Sequence, residues 1–207
     1  MGFFGGRRNR STGAYRSDSG AFPVRLEAEF SFFAVIGFLI CTDRAGISAL
    51  CLLACFMHEL GHLAVMIAER KPPELIRLYG GGIHISGGST SLPAVAAGPL
   101  TNLSLFAAGM FLSAYNREME LFAVVNLLTG AFNLLPLGEL DGKLLLDRLL
   151  SVMFRPEIAF RVSAVTERAA AVIVIPAVIY LIAAGKLSIS AFIFFFYIFA
   201  VEILEKI

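Results

Sequence analysis

Two long apolar stretches, residues 45–68 and 92–115, constrain this chain more than any other feature. A helix that crosses the hydrocarbon core of a bilayer needs about 20 predominantly apolar residues, with roughly 17 as the lower end, and both stretches exceed that. In lipid, every backbone amide must find its hydrogen bond within the protein, so a spanning segment is a helix or a strand of a closed barrel. Neither stretch shows the period-two alternation of a strand, and both are read as helices. Four shorter runs accompany them, at 30–41, 121–137, 169–184 and 187–201. Composition points the same way. Apolar residues make up 57% of the 207 and charged residues 16%, against about 45–50% and about 25% in soluble domains. A chain this short has too little interior to hide the excess.

The fold class expected is therefore an all-α membrane protein with about six transmembrane helices. The arrangement of charge supports all six runs as spans, because Lys and Arg accumulate in cytoplasmic loops. With six spans and the N-terminus inside, 14 of the 17 basic residues fall on the inner side, and only Arg44, Arg117 and Lys186 fall outside. Both termini are then cytoplasmic. Residues 1–25 are rich in Gly, Ser and Arg, lack periodicity, and read as a flexible cytoplasmic tail. Residues 26–207 read as one polytopic domain. The net charge of +1 and the absence of a recognisable nucleic-acid motif exclude a nucleic-acid partner. Cys41, Cys51 and Cys55 lie in apolar runs, where small buried apolar residues are expected rather than a disulfide framework.

Between the second and third runs, residues 75–86 combine β-branched residues with Gly80, Gly81 and Gly82. This pattern predicts a short membrane-associated strand or hairpin, whose edge is available to an incoming strand. Pro72 and Pro73 mark the exit from the second run.

The second run carries His58-Glu59-Leu60-Gly61-His62. Imidazoles at i and i+4 project from one helical face and can reach one zinc ion (Zn2+), with Glu59 beside them to take a proton. Ionisable groups at membrane depth are costly and mark function, which weighs against simple packing. A four-ligand structural site that adds Cys51 and Cys55 fails on geometry. Cys51 and His62 are eleven residues apart, about 16 Å along a helix, while every ligand must lie roughly 2.0–2.3 Å from the metal. A catalytic zinc needs a third protein ligand, and the acidic candidates are Asp141, Glu139 and Asp147. Pro136 and Gly138 break the fourth run just before Asp141, so that its carboxylate can turn inward. Asp147 falls in an amphipathic stretch where a solvated face is the usual explanation.

Three blocks, His58 to His62, Ala97-Gly-Pro-Leu-Thr-Asn102 and Asn133-Leu-Leu-Pro-Leu-Gly-Glu-Leu-Asp-Gly142, make the chain resemble the site-2 protease family of intramembrane zinc metalloproteases. The likeness is greatest to its compact sporulation-type branch. The resemblance covers a catalytic core of about 28–150, followed by two further C-terminal helices. It implies His58, His62 and Asp141 as zinc ligands, Glu59 as the catalytic acid and base, and Asn102 near the reacting carbonyl. It also implies a membrane-spanning or membrane-tethered protein substrate, regulatory membrane proteins as further partners, and a place in a bacterial cell membrane. The family pattern commonly ends Pro-Leu-Asp-Gly-Gly where this chain has Glu139-Leu-Asp-Gly-Lys143, a departure in the loop that carries the third ligand. His84, the remaining histidine, reads as a partner for backbone or lipid headgroup. Two other functions compete: a metal-binding membrane transporter or sensor, and an inactive protease-like scaffold. A transporter needs ligands spaced along a route, and a scaffold usually loses part of the His-Glu-His-Asp set.

Overall fold

The computed structural model describes residues 24–43, 46–80 and 82–185. In chain order these form β1 (Arg25–Ala28), α1 (Phe30–Thr42), α2 (Ile47–Ala68), β2 (Leu75–Tyr79), β3 (Gly82–Ser86), α3 (Leu92–Ser113), α4 (Glu118–Asn133), α5 (Asp141–Met153) and α6 (Pro156–Ala183). The expected helical membrane architecture is present, but the number of spans differs. Among the described residues three helices, α2, α3 and α6, are long and apolar enough to cross a membrane, rather than six. At 13 and 16 residues, α1 and α4 reach about 20 and 24 Å, short of a hydrocarbon core of roughly 30 Å. Glu118 and Glu120 also occupy the first turn of α4. The fifth apolar run is the second half of a longer helix, since α6 begins at Pro156, a residue pre-set for a first helical turn. The sixth run lies outside the described residues, as does the tail through residue 23.

The predicted hairpin is present. β2 and β3 pair antiparallel, with Leu75 opposite Ser86 and Tyr79 opposite Gly82. A third strand was not expected: Arg25, assigned to the tail, opens β1, which pairs parallel to β2 from Arg25–Leu75 to Ala28–Leu78. The register sorts the sheet into two faces. Leu26, Ile76, Leu78, Ile83 and Ile85 share one, while Glu27, Arg77 and His84 form a row across the other. Arg77 Nε lies 3.7 Å from the carboxylates of both Glu27 and Glu29.

Chain reversals are built from capping chemistry. α2 stops where Arg70 turns to φ 57 and Pro72-Pro73 follow. Glu69 then accepts hydrogen bonds from the hydroxyls of Ser89 and Ser91, fastening the end of α2 to the start of α3. Those bonds hold the Glu69 carboxyl below its ordinary range. Ser91 also caps α3 by accepting from Ala94 N at 3.1 Å.

Helices α2, α3 and α4 pack through small residues. A Cβ at Gly61 would strike the Thr101 hydroxyl and lie 2.8 Å from Ala97 O, and one at Gly109 would lie 2.9 Å from Ala123 Cβ. Such close approach is the usual way helices associate in lipid, where apolar area gives no net drive. The cysteines differ from expectation: all three are exposed on the helix surfaces, an apolar location only because the surrounding solvent is lipid.

Candidate metal centre

His58 and His62 sit one helical turn apart on the buried face of α2, 3% and 7% exposed. Their rings meet edge to face with centroids 4.8 Å apart. The helix brings them together because residues at i and i+4 stack on one face. Opposite them, the chain leaves α4 at Asn133, turns through Pro136 and Gly138 (φ 54), and re-enters a helix at Asp141. One oxygen of that aspartate, Oδ2, lies 2.8 Å from His58 Nε2 and 3.1 Å from His62 Nε2, and the two Nε2 atoms are 3.1 Å apart. These three residues form a group whose ligand atoms all lie within 4.8 Å of one another.

The protonation pattern shows what the group fits. His62 Nδ1 lies 2.7 Å from Ala94 O, an atom that can only accept, so Nδ1 carries the hydrogen. His58 Nδ1 lies 2.6 Å from Asn102 Oδ1 and carries one likewise. In their neutral forms the two imidazoles then turn an Nε2 lone pair toward the same carboxylate oxygen, and three electron pairs converging on one point can be shared by a cation. Ligands of one zinc ion at roughly 2.0–2.2 Å must also be near neighbours of one another. The donor set, two imidazoles and a carboxylate with their outer nitrogens hydrogen bonded, fits a catalytic zinc.

Main chain closes the wall behind the histidines. Gly98 of α3 is buried, and a Cβ there would overlap His62 Nε2 and lie 2.6 Å from His58 Nε2. Gly98 belongs to the Ala97-Gly-Pro block, and its missing side chain is what leaves the donor atoms their space. Glu59 is half-buried on the next ridge of α2, within electrostatic reach of His58, His62 and Asp141.

Asn102 lies behind the histidine pair. It is fully buried, with Oδ1 on His58 and both amide hydrogens engaged, by Ala54 O and Asn126 Oδ1 at 3.0 Å each. Its polar atoms are engaged by protein groups behind the histidine. Of the rival ligands, Glu139 is exposed and outside the three-residue group, and Asp147 is engaged elsewhere. His84 is exposed on β3, opposite Arg77.

The departure at Lys143 acquires a structural meaning. Lys143 Nζ lies 2.6 Å from Asp147 Oδ2 and 3.9 Å from Glu167 Oε2. Asp147 also accepts from Ser163, and Glu167 accepts from Gly138 N at 3.2 Å. Burial raises the Asp147 carboxyl, but the bonds from Lys143 and Ser163 outweigh it and hold the group below the usual range. This network ties the loop that carries Asp141 to α6. Sequence reasoning missed Glu167, Ser163 and Asn126, and the only available signal was a polar residue inside or beside an apolar run.

No protein-family model matches the sequence, and no curated protein matches it. Among solved structures, the chain is similar to one described as the Site-2 Protease from Methanocaldococcus jannaschii. The likeness covers 83% of this chain and 88% of that one, with a TM-score of 0.56 and 22% sequence identity. It is a likeness of fold.

Proposed function

We propose that this protein is an intramembrane zinc metalloprotease of the site-2 type, cleaving a peptide bond in or near the transmembrane segment of a membrane-bound protein. One observation carries this reading above the others: His58, His62 and Asp141, from two helices far apart in sequence, place their ligand atoms within 4.8 Å of one another. The fold shared with a site-2 protease supports it, and the three sequence blocks support the finer placement in the sporulation-type branch.

In this reading His58 Nε2, His62 Nε2 and Asp141 Oδ2 hold the metal. A zinc ion bound there supplies Lewis acidity and makes a water molecule acidic enough to react near neutral pH. Glu59 takes the proton from the attacking water at its carboxylate and returns it to the leaving amine nitrogen. Asn102 and Ala94 O fix the two imidazoles so that their free lone pairs face inward. Helices α2 and α3 exclude bulk water from the back of the site. His58 is the twelfth of 22 residues in α2, so water reaches it through a polar path from one membrane surface. We place it as a multi-pass protein of a bacterial membrane; the charge split that puts both termini in the cytoplasm is counted over six spans, whereas the described residues supply three.

A substrate helix must unwind before its carbonyls are accessible, and β3, at one end of the order β1-β2-β3, offers an edge to receive the unwound stretch. Proline substitutions scanned along Gly82–Ser86 are expected to lower cleavage while zinc content stays at the wild-type level. Unchanged cleavage across the scan would remove the sheet from substrate binding.

The deciding experiment co-expresses wild type, Glu59→Gln and His58→Ala with membrane-bound substrates and reads both cleavage and zinc. Glu59→Gln is expected to keep zinc and stop cleavage, and His58→Ala to lose both. Equal cleavage by wild type and Glu59→Gln would refute the protease assignment.

A further inference from the structure

Behind the histidine pair runs a chain of buried amides that ends on a residue to which neither the ligand set nor the proton transfer gives a role. Asn126 of α4 is fully buried in the protein. Its Nδ2 donates to Phe122 O at 2.9 Å, and its Oδ1 accepts from Asn102 Nδ2 at 3.0 Å. Asn102 Nδ2 also donates to Ala54 O at 3.0 Å, and Asn102 Oδ1 lies 2.6 Å from His58 Nδ1.

The direction of every bond in this chain is forced. Phe122 O and Ala54 O are carbonyl oxygens and can only accept. The first therefore turns the amide nitrogen of Asn126 toward its own helix and its oxygen toward Asn102. Together with Ala54 O, that oxygen claims both hydrogens of Asn102 and leaves only Asn102 Oδ1 to face His58. An oxygen facing Nδ1 requires the hydrogen there, so that the neutral ring keeps its free lone pair on Nε2. The orientation is thus handed from the backbone of α4, through two side chains, to one nitrogen of the catalytic helix.

His62 needs no such device, because Ala94 O fixes its tautomer in one step. His58 has no backbone acceptor at Nδ1. With a side-chain amide in that place, the bond could run either way, since an Asn rotated by 180° would present N–H to Nδ1 and push the hydrogen onto Nε2, where it would block a ligand bond.

We propose that Asn126 is a positioning residue that sets the Nδ1–H tautomer of His58 by locking the amide of Asn102, and thereby keeps His58 Nε2 free to bind metal. This rests on reading the site as a metal centre, but the tautomer itself is a property of the metal-free protein. The chain holds three histidines, one of them, His84, exposed on β3, so few imidazole signals need to be assigned.

The test uses the full chain in detergent or vesicles, with 15N-labelled histidine. Four variants are compared with wild type: Asn126→Leu, which removes both bonds; Asn126→Ser, which keeps a short polar group able to bond Phe122 O but not to reach Asn102; Asn126→Asp, whose neutral acid can accept from Asn102 and donate to Phe122 O; and Val125→Ala, a buried packing change outside the relay. The metal-free wild type is expected to show His58 protonated at Nδ1. Leu and Ser are expected to shift His58 toward the other tautomer and to weaken zinc, measured by chelator competition, by about 10- to 100-fold. Asp is expected to restore both readouts to within about threefold, and Val125→Ala to lower the unfolding temperature and leave both unchanged. His58 signals in Leu and Ser identical to wild type would overturn the proposal, as would a zinc loss in Val125→Ala equal to theirs. A wild type that shows the Nδ1–H tautomer but takes up no zinc would defeat the metalloprotease reading and leave the tautomer assignment standing.

Discussion

The α2–α3–α4 bundle and helix α6 are comparably apolar, yet they are held in place by different means. Within the bundle, small residues let the backbones touch, and the buried polar groups are all satisfied: Ala54, Ala94, Ala97, Gly98 and Ala123 line the contacts, while Asn102 and Asn126 are fully enclosed. A third of the apolar window of α3 is buried within the protein, against 6% for α6. Val172 and Ile173 of α6 are 72% and 69% exposed. Among the described residues α6 meets the rest of the protein mainly at α5, where Ala159 is buried, Ser163 bonds Asp147, and Glu167 reaches Lys143 and Gly138 N. The difference follows from the solvent. In lipid, burying a Leu against another Leu gains little, so close backbone contact and hydrogen bonds decide which helices are fixed. A helix with few close contacts depends more on the points where its polar groups reach a partner.

The sharpest way to break the comparison is to add one methyl group to the bundle. Gly98→Ala places a carbon against both ligand nitrogens. It is expected to abolish stoichiometric zinc and to cost on the order of 100-fold or more in cleavage, as misplacements of about 1 Å do. Metal analysis of the purified variant checks this, and a full complement of zinc would mean that the bundle is more yielding than its contacts imply. A smaller effect is expected at the anchor of α6. Glu167→Ala frees Gly138 N and one partner of Lys143, and cleavage should fall about tenfold, the lower end of the range for groups that support metal ligands indirectly, with zinc retained. Cleavage at the wild-type rate would show that the loop carrying Asp141 holds its shape without α6. The smallest effect is expected on the outer face of α6. Ile173→Ala should change unfolding free energy by no more than about 0.5 kcal/mol, measured by denaturant titration in mixed micelles. A loss of about 2 kcal/mol or more, typical of a truncated core residue, would mean that protein rather than lipid covers that face.

The same division explains what could be read from the sequence. The histidine pair was legible because helical spacing alone brings i and i+4 together, and the hairpin because Gly and β-branched residues mark it locally. The break at Pro136 and Gly138 pointed to Asp141. Features that depend on distant partners were not legible. β1 is four residues whose only reason to be a strand is β2, some 50 positions onward. α6 was foreseen only in its apolar half, because Glu157, Arg161, Glu167 and Arg168 hide the helical continuity of its first turns. Among the described residues the span count differs for a related reason: the short first run was counted on loop charge, and the fourth without the acidic first turn of α4. Asn102 was found by its motif, but its environment could not be, since that depends on Asn126, which in sequence is one more polar residue in an apolar helix.

The two glycine contacts between α2 and α3 also restrict how the protein can move. Gly61 fits against Thr101 and Ala97, and one turn away along α3 Gly98 fits between the two imidazoles. A pair of helices clamped at two successive points cannot slide lengthwise past each other without driving backbone into side chain. Shear between them is therefore unavailable. Any opening that admits a substrate must come from rotation or displacement of the less tightly fitted elements, while the helices that carry the chemistry keep a fixed register throughout.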